Sequence, residues 1–267
     1  MIPCIDTHAH LSLLARRGID PHAVLPEAFA KNLRAVIDVS LESGDLAERV
    51  AGFSRYPAVR FASGLWPHAG AIERRHELIA ALEAEITAAP RGLVCALGEF
   101  GLDHYRNGGG EAGNRDNTGE AELMELQLVL AKKLKLPVII HSRDAAGETA
   151  ALLANHPGVS GVIHCFSYGP EEAKTFLDLG YFISFAGNLT YKNSGGIREA
   201  CRLIPGDRLL FETDCPYLAP VPYRGTAAHP LMVEETITLA AELRGADAGA
   251  LAELLRVNTA ALFGVEF

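Results

Sequence analysis

Six residues able to ligate a metal ion stand where apolar runs of this chain give way to polar sequence: His8, His10, Glu99, His141, His164 and Asp214. His8 and His10 lie two apart in Asp6-Thr7-His8-Ala9-His10, and on a strand such residues project from the same face. A lone histidine near a strand end is usually a hydrogen-bonded core or surface residue, but a set of six ligand types repeating this placement is not explained that way. Four imidazoles and two carboxylates exceed one tetrahedral site and suit two divalent cations that share a bridging group. A carboxylate bridges well because it has two oxygens, which makes Glu99 or Asp214 the natural bridge. Paired cations about 3.5–4 Å apart acidify a water and neutralise a leaving oxygen, so the expected chemistry is metal-assisted hydrolysis. Imidazole-rich sets favour zinc or manganese, while phosphoryl chemistry commonly uses magnesium or manganese.

Short β-branched runs must position these residues. Eight read as strands, over residues 3–10, 34–40, 59–66, 93–101, 137–142, 161–166, 181–186 and 208–214. Between them lie segments with helical spacing, such as 73–88, where Ile79, Leu82 and Ile86 recur, and 120–134. Strand-helix alternation predicts a parallel sheet covered by helices. Eight units in this length favour a closed (β/α)8 TIM barrel over a doubly wound sheet, with the active site at the C-terminal ends of the strands. Every potential ligand falls at such an end. No linker, repeat or composition shift divides the chain, so residues 1–267 read as one domain. Residues 104–119, HYRNGGGEAGNRDNTG, read as an exposed loop after strand four, either a tolerated insertion or a substrate-facing lid. After strand eight, 230–244 and 247–257 read as helices, with Asn258 as the cap of a last short one.

Composition sets the class. With 49% hydrophobic and 21% charged residues the chain reads as a globular protein and not a disordered one. No basic leader or long apolar run is present, so a cytoplasmic protein without a membrane partner is expected. Five cysteines, at 4, 95, 165, 201 and 215, form no Cys-x-x-Cys pair and read as small buried hydrophobes. Strand alternation would turn Cys165 and Cys215 outward, away from His164 and Asp214. The formal charge of −9 gives no general attraction for a polyanion. Two divalent ions would add about four positive charges locally, so a phosphate substrate is still allowed.

The motifs together resemble the TatD family of metal-dependent deoxyribonucleases, a branch of the amidohydrolase barrels. The resemblance rests on DTHAHL at 6–11, GEFGLD at 98–103, LPVIIHSRDA at 136–145, GVIHCFS at 161–167, ETDCPYLAP at 212–220 and VNTAALFG at 257–264. It implies that His8, His10 and Asp214 bind one metal, that His141 and His164 bind a second, and that Glu99 bridges them. It also implies that Asp214 orients or deprotonates the attacking water. Arg224-Gly225 matches the family's Arg-Gly, which makes Arg224 a phosphate contact; Arg143 is another, or else a rim ion pair. Asp103 supports the site or caps the next segment. His68 and Trp66 are further substrate-contact candidates, Trp66 by base stacking.

Three peripheral motifs depart from the family. Trp66 stands where members usually carry the histidine of Gly-x-His-Pro, Ala228-His229-Pro230 replaces Asn-Glu-Pro, and Tyr168 replaces a glycine. The resemblance implies a nuclease acting on DNA, and the charge of −9, which predicts weak binding to long duplex, points to DNA ends or single strands as its substrate, with no obligate protein partner evident. An enzyme for a small amide, lactone or phosphoester is the alternative, and a non-catalytic metal scaffold a third reading.

Overall fold

A computed structural model describes residues 2–108 and 116–265. All eight expected runs form strands: β1 Cys4–Ala9, β2 Leu33–Val39, β3 Val59–Ser63, β4 Val94–Asp103, β5 Val138–Arg143, β6 Gly161–Ile163, β7 Phe182–Phe185 and β8 Leu209–Phe211. They pair in sequence order, each parallel to the next. The segment after β8 returns to β1, where Asp214 N donates to His8 O at 2.9 Å and His10 N to Cys215 O at 2.8 Å. Sequential order with this return makes a (β/α)8 barrel, since a doubly wound sheet reverses its strand order.

The buried residues separate into two layers, as strand alternation requires. Ile37, Val39, Ala62, Ala96, Ile139, Val162, Phe182 and Leu210 form one cluster, completed by Leu262, Phe263 and Val265 from the chain's end; Cys95 joins it beside Ala96, where the pairing of β3 with β4 is irregular. These fill the barrel. The intervening Val36, Phe61, Leu97, Ile140, Ile163, Ile183 and Phe211 belong to the larger cluster beneath the helices.

Four expectations are corrected. The strand runs at 161–166 and 208–214 are too long: β6 ends at Ile163 and β8 at Phe211, so His164 and Asp214 follow their strands. Cys165 and Asp214 then adopt left-handed backbone, φ +46° and +56°, and alternation no longer applies to Cys165. Cys215 is buried in the helix-facing core as expected, whereas Cys165 stays half-buried outside it. The predicted loop does not hold at either end of 104–119: His104–Gly108 is a helix, and Asn117 starts the helix Asn117–Leu134, whose cap Asp116 accepts from Gly119 N. Residues 109–115 lie outside the described residues. Asn258 caps no separate helix; it lies inside the continuous helix Ala248–Phe263 and donates to Gly206 O and Leu209 O, tying that helix to the start of β8.

A buried ion pair fixes the upper rim. Arg49, 2% exposed, binds Asp38 Oδ2 at 3.0 Å, Asp45 Oδ1 at 2.9 Å and Ala62 O at 3.0 Å, while Asp38 Oδ1 accepts from Leu11 N. This knot joins the ends of β2 and β3 to the segment after β1.

Candidate functional site

The six singled-out residues converge at the C-terminal mouth. Glu99 lies at their centre, and its two oxygens face different partners. Oε1 is 2.8 Å from His141 Nδ1 and 2.9 Å from His164 Nε2. Oε2 is 3.2 Å from His8 Nε2 and 3.5 Å from His10 Nε2. Asp214 stands nearest the second side, with Oδ1 3.4 Å from His10 Nε2 and 3.8 Å from His8 Nε2, and it also groups with His8 and His164 as a possible metal-ligating set. The rings of His8 and His164 stack at 4.1 Å, which brings the two halves against each other.

Alternation alone does not deliver Glu99. Leu97 packs under the helices, so Glu99, two residues on, would face outward in a regular strand. The register against β5 slips between Gly98 and Phe100, and this irregularity turns Glu99 inward together with Asp103. Two glycines make it possible. Gly98 and Gly101 both have φ +154°; a side chain on Gly98 would meet Ile139 Cβ at 2.7 Å, and one on Gly101 would run into the His141 carbonyl. His141 reaches the site by ordinary alternation from Ile139.

Outer partners fix the rings. A carbonyl cannot donate, so His10 Nδ1 carries the proton it shares with Val39 O at 2.9 Å, leaving Nε2 free to face Glu99. Asp103 Oδ2 lies 3.2 Å from His141 Nε2, and Glu212 Oε1 3.2 Å from His164 Nδ1. Asp103 thus performs both roles read from sequence, since its Oδ1 also accepts from Arg106 N. Glu212 was missed as an orienting group. Its signal was its place in ETDCPYLAP, two residues before Asp214. Asp6, also missed, accepts from Thr213 N at 2.9 Å and Thr213 Oγ1 at 2.6 Å, which locks the β1 end to the Asp214 segment.

Charge follows from this packing. Burial opposes charge on His10, His141 and His164, yet the facing carboxylates outweigh it and raise all three imidazoles, His10 and His164 strongly. His8 is lowered by burial and by the charge of His164. Burial alone would raise Glu99, but His164 and the hydrogen bonds from His10 and His141 hold it well below the usual carboxylate range. Asp6 is pushed up to about 8 by burial. Burial and the surrounding Asp214, Glu212 and Glu99 carboxylates hold the Cys165 thiol well above its ordinary value.

The remaining candidates lie around the rim. Arg143 stacks over Tyr105 at 4.2 Å and Arg224 over Tyr191 at 4.3 Å, and neither forms an ion pair with another described residue. Trp66 meets the His141 ring edge-on at 5.9 Å, with Arg106 over its indole at 5.1 Å. His68 Nδ1 accepts from Ala71 N and caps the helix Ala69–Glu73. The Tyr168 hydroxyl is bonded to Ser142 Oγ and accepts from Ala145 N. His229 is half-buried beside Glu27 and Lys31, away from the cluster.

Residues 5–264 match the family described as TatD related DNase. The chain belongs to the TatD family. It is 34% identical over 266 residues to the uncharacterized metal-dependent hydrolase YcfH of Escherichia coli, covering 98% of this chain and 96% of that one. Bacillus subtilis YabD, of the same description, is 31% identical over 262 residues, with 97% and 98% covered. The crystal structure of the Escherichia coli TatD homologue YjjV superposes with a TM-score of 0.86 at 30% identity, covering 98% of both chains. Among the described residues no helix is long and apolar enough to cross a membrane.

Proposed function

We propose that this TatD-family chain is a metal-dependent hydrolase that cleaves phosphodiester bonds of DNA, acting on strand ends or single strands. The observation that carries the reading is the division of Glu99: each carboxylate oxygen faces its own pair of imidazoles. That arrangement fits two divalent cations, zinc, manganese or magnesium, one held by His8, His10 and Asp214 and the other by His141 and His164, with Glu99 common to both. The donor set agrees, because Val39 O, Asp103 and Glu212 bind the far nitrogens of three rings and leave the near ones to ligate. Such ions, when bound, lower the pKa of a water and stabilise charge on the scissile group.

The chain's own residues do the rest. Asp214 is the most accessible of the carboxylates here, 15% exposed at its side chain against 5% for Glu99, and it receives the proton of the attacking water. Glu99 stays ionised and fixes the separation of the two imidazole pairs. Arg143 and Arg224 supply planar donors for phosphate oxygens, each held ready against a tyrosine face. Trp66 offers a surface on which a base can stack.

Metal-loaded protein is expected to trim end-labelled single-stranded DNA, and Asp214→Asn to lower the rate at least about 100-fold with an unchanged circular dichroism spectrum. Intact DNA with active hydrolysis of small esters or amides would transfer the site to small substrates. No turnover on either, with metal bound, would leave a non-catalytic scaffold.

A further inference from the structure

Beside His10, between the segments that follow β1 and β2, lies a cleft of about 780 Å³ that no role above uses. The segment after β1 contributes Arg16 and Arg17, the segment after β2 contributes Glu42 and Glu48, and Tyr217 from the segment after β8 stands where the cleft meets His10. The Tyr217 ring is 39% exposed, lies 6.3 Å from the His10 ring, and has the Arg17 guanidinium 5.7 Å from its centre. Arg16, Arg17, Glu42 and Glu48 are exposed, and none of their side chains forms an ion pair with another described residue. Arg49 and Asp45 also border the cleft, but they satisfy each other at 2.9 Å.

Two guanidinium groups and two carboxylates without an ion pair among the described residues, and a partly exposed aromatic ring that Arg17 flanks, therefore open onto one space that begins at the candidate metal ligands. Each element has a counterpart in a nucleotide. Guanidinium forks match phosphate oxygens, an aromatic face stacks a base, and a carboxylate accepts from an exocyclic amino group such as cytosine N4. The volume falls within the range of small-ligand sites, ample for one nucleotide unit. A cleft bearing cations alone would hold any anion. The added carboxylates repel a phosphate on their side, so they set which way round the unit lies.

We propose that this cleft is the subsite for the nucleotide neighbouring the scissile phosphodiester. Arg16 and Arg17 bind its outer phosphate, Tyr217 stacks its base, and Glu42 and Glu48 select bases that carry an amino group. The proposal rests on the phosphodiesterase reading above and adds to it a direction of entry, from the β1 and β2 side, and a base preference.

The test compares oligonucleotides with a substrate too small to reach the cleft. On metal-loaded protein, the double variant Arg16→Ala/Arg17→Ala is expected to lose at least about 10-fold more kcat/KM on a deoxycytidine tetranucleotide than on bis(p-nitrophenyl) phosphate, and Tyr217→Leu to behave alike. Glu42→Gln/Glu48→Gln should erase a preference for the deoxycytidine over the thymidine tetranucleotide. A readout independent of turnover is fluorescence anisotropy of the labelled tetranucleotide on chelator-treated protein, which should weaken about 10-fold in the arginine variant. Equal losses on both substrates, or unchanged anisotropy, overturn the subsite. Tetranucleotides cut normally by the arginine variant would sink the cleft alone, whereas tetranucleotides bound through the arginines yet never cut would sink the phosphodiesterase reading alone.

Discussion

Glu99→Gln tests the centre of the site with a change of nearly the same shape. One oxygen becomes an NH2 group, which can only donate, so whichever imidazole pair it faces loses its shared ligand. The carboxylate charge now sits 2.8–3.5 Å from four imidazole nitrogens. At about 3 Å and an effective dielectric constant of about 20, a unit charge interacts with another by roughly 5 kcal/mol. If the amide dipole and local water recover half of that, metal affinity still falls by about 100-fold. The assay is metal content by elemental analysis after equilibrium dialysis across a range of free metal, with circular dichroism to confirm the fold. Wild-type protein is expected to hold two equivalents, and the glutamine variant to lose at least one at free metal concentrations that saturate the wild type. Two equivalents retained by the variant with wild-type affinity would refute the idea that Glu99 joins the two halves.

Other expectations follow from the same contacts. Because His10, His141 and His164 are raised above the usual imidazole value of 6.5, metal must displace their protons. Affinity should therefore rise with pH from below 6.5 up to the raised values, with proton release visible by calorimetry in two buffers; pH-independent affinity would contradict this. Asp6 has a folded pKa of about 8 against 3.8 ordinarily, so its contribution to stability is full below 3.8 and is lost as pH rises towards about 8, by up to about 1.4 kcal/mol per pH unit. Asp6→Asn, which accepts from the same backbone N–H groups and does not ionise, should flatten that part of the chemical-denaturation profile, and an unchanged slope would count against a protonated Asp6. Arg49→Met leaves Asp38 buried and unpaired, and should cost roughly 3–5 kcal/mol in urea denaturation; adding Asp38→Asn should restore part of it, and a loss below about 1 kcal/mol would show the pair to be dispensable.

The barrel and the placing of its candidate ligands at strand ends were legible in sequence because both rest on the order of short local elements. Strands of β-branched residues alternate with amphipathic helices, and each ligand sits at the end of an apolar run, so the order of elements brings His8, Glu99, His141, His164 and Asp214 to one mouth once the ring closes. His141 even had its facing set by a two-residue period from Ile139, whereas the pairing of β1 is irregular between Asp6 and Ala9, just where His8 stands. Tertiary structure decided what that period cannot encode. The inward turn of Glu99 depends on a slipped register between β4 and β5 and on two glycines that let the backbones meet, which is a property of the pair of strands. The proton positions on His10, His141 and His164 depend on Val39 O, Asp103 and Glu212, groups 29, 38 and 48 residues away along the chain. Asn258 read as a helix cap because asparagine is a good one, yet its carbonyl partners come from residues 49 and 52 positions earlier. Residue types set which chemistry was available; only packing fixed which oxygen faces which ring.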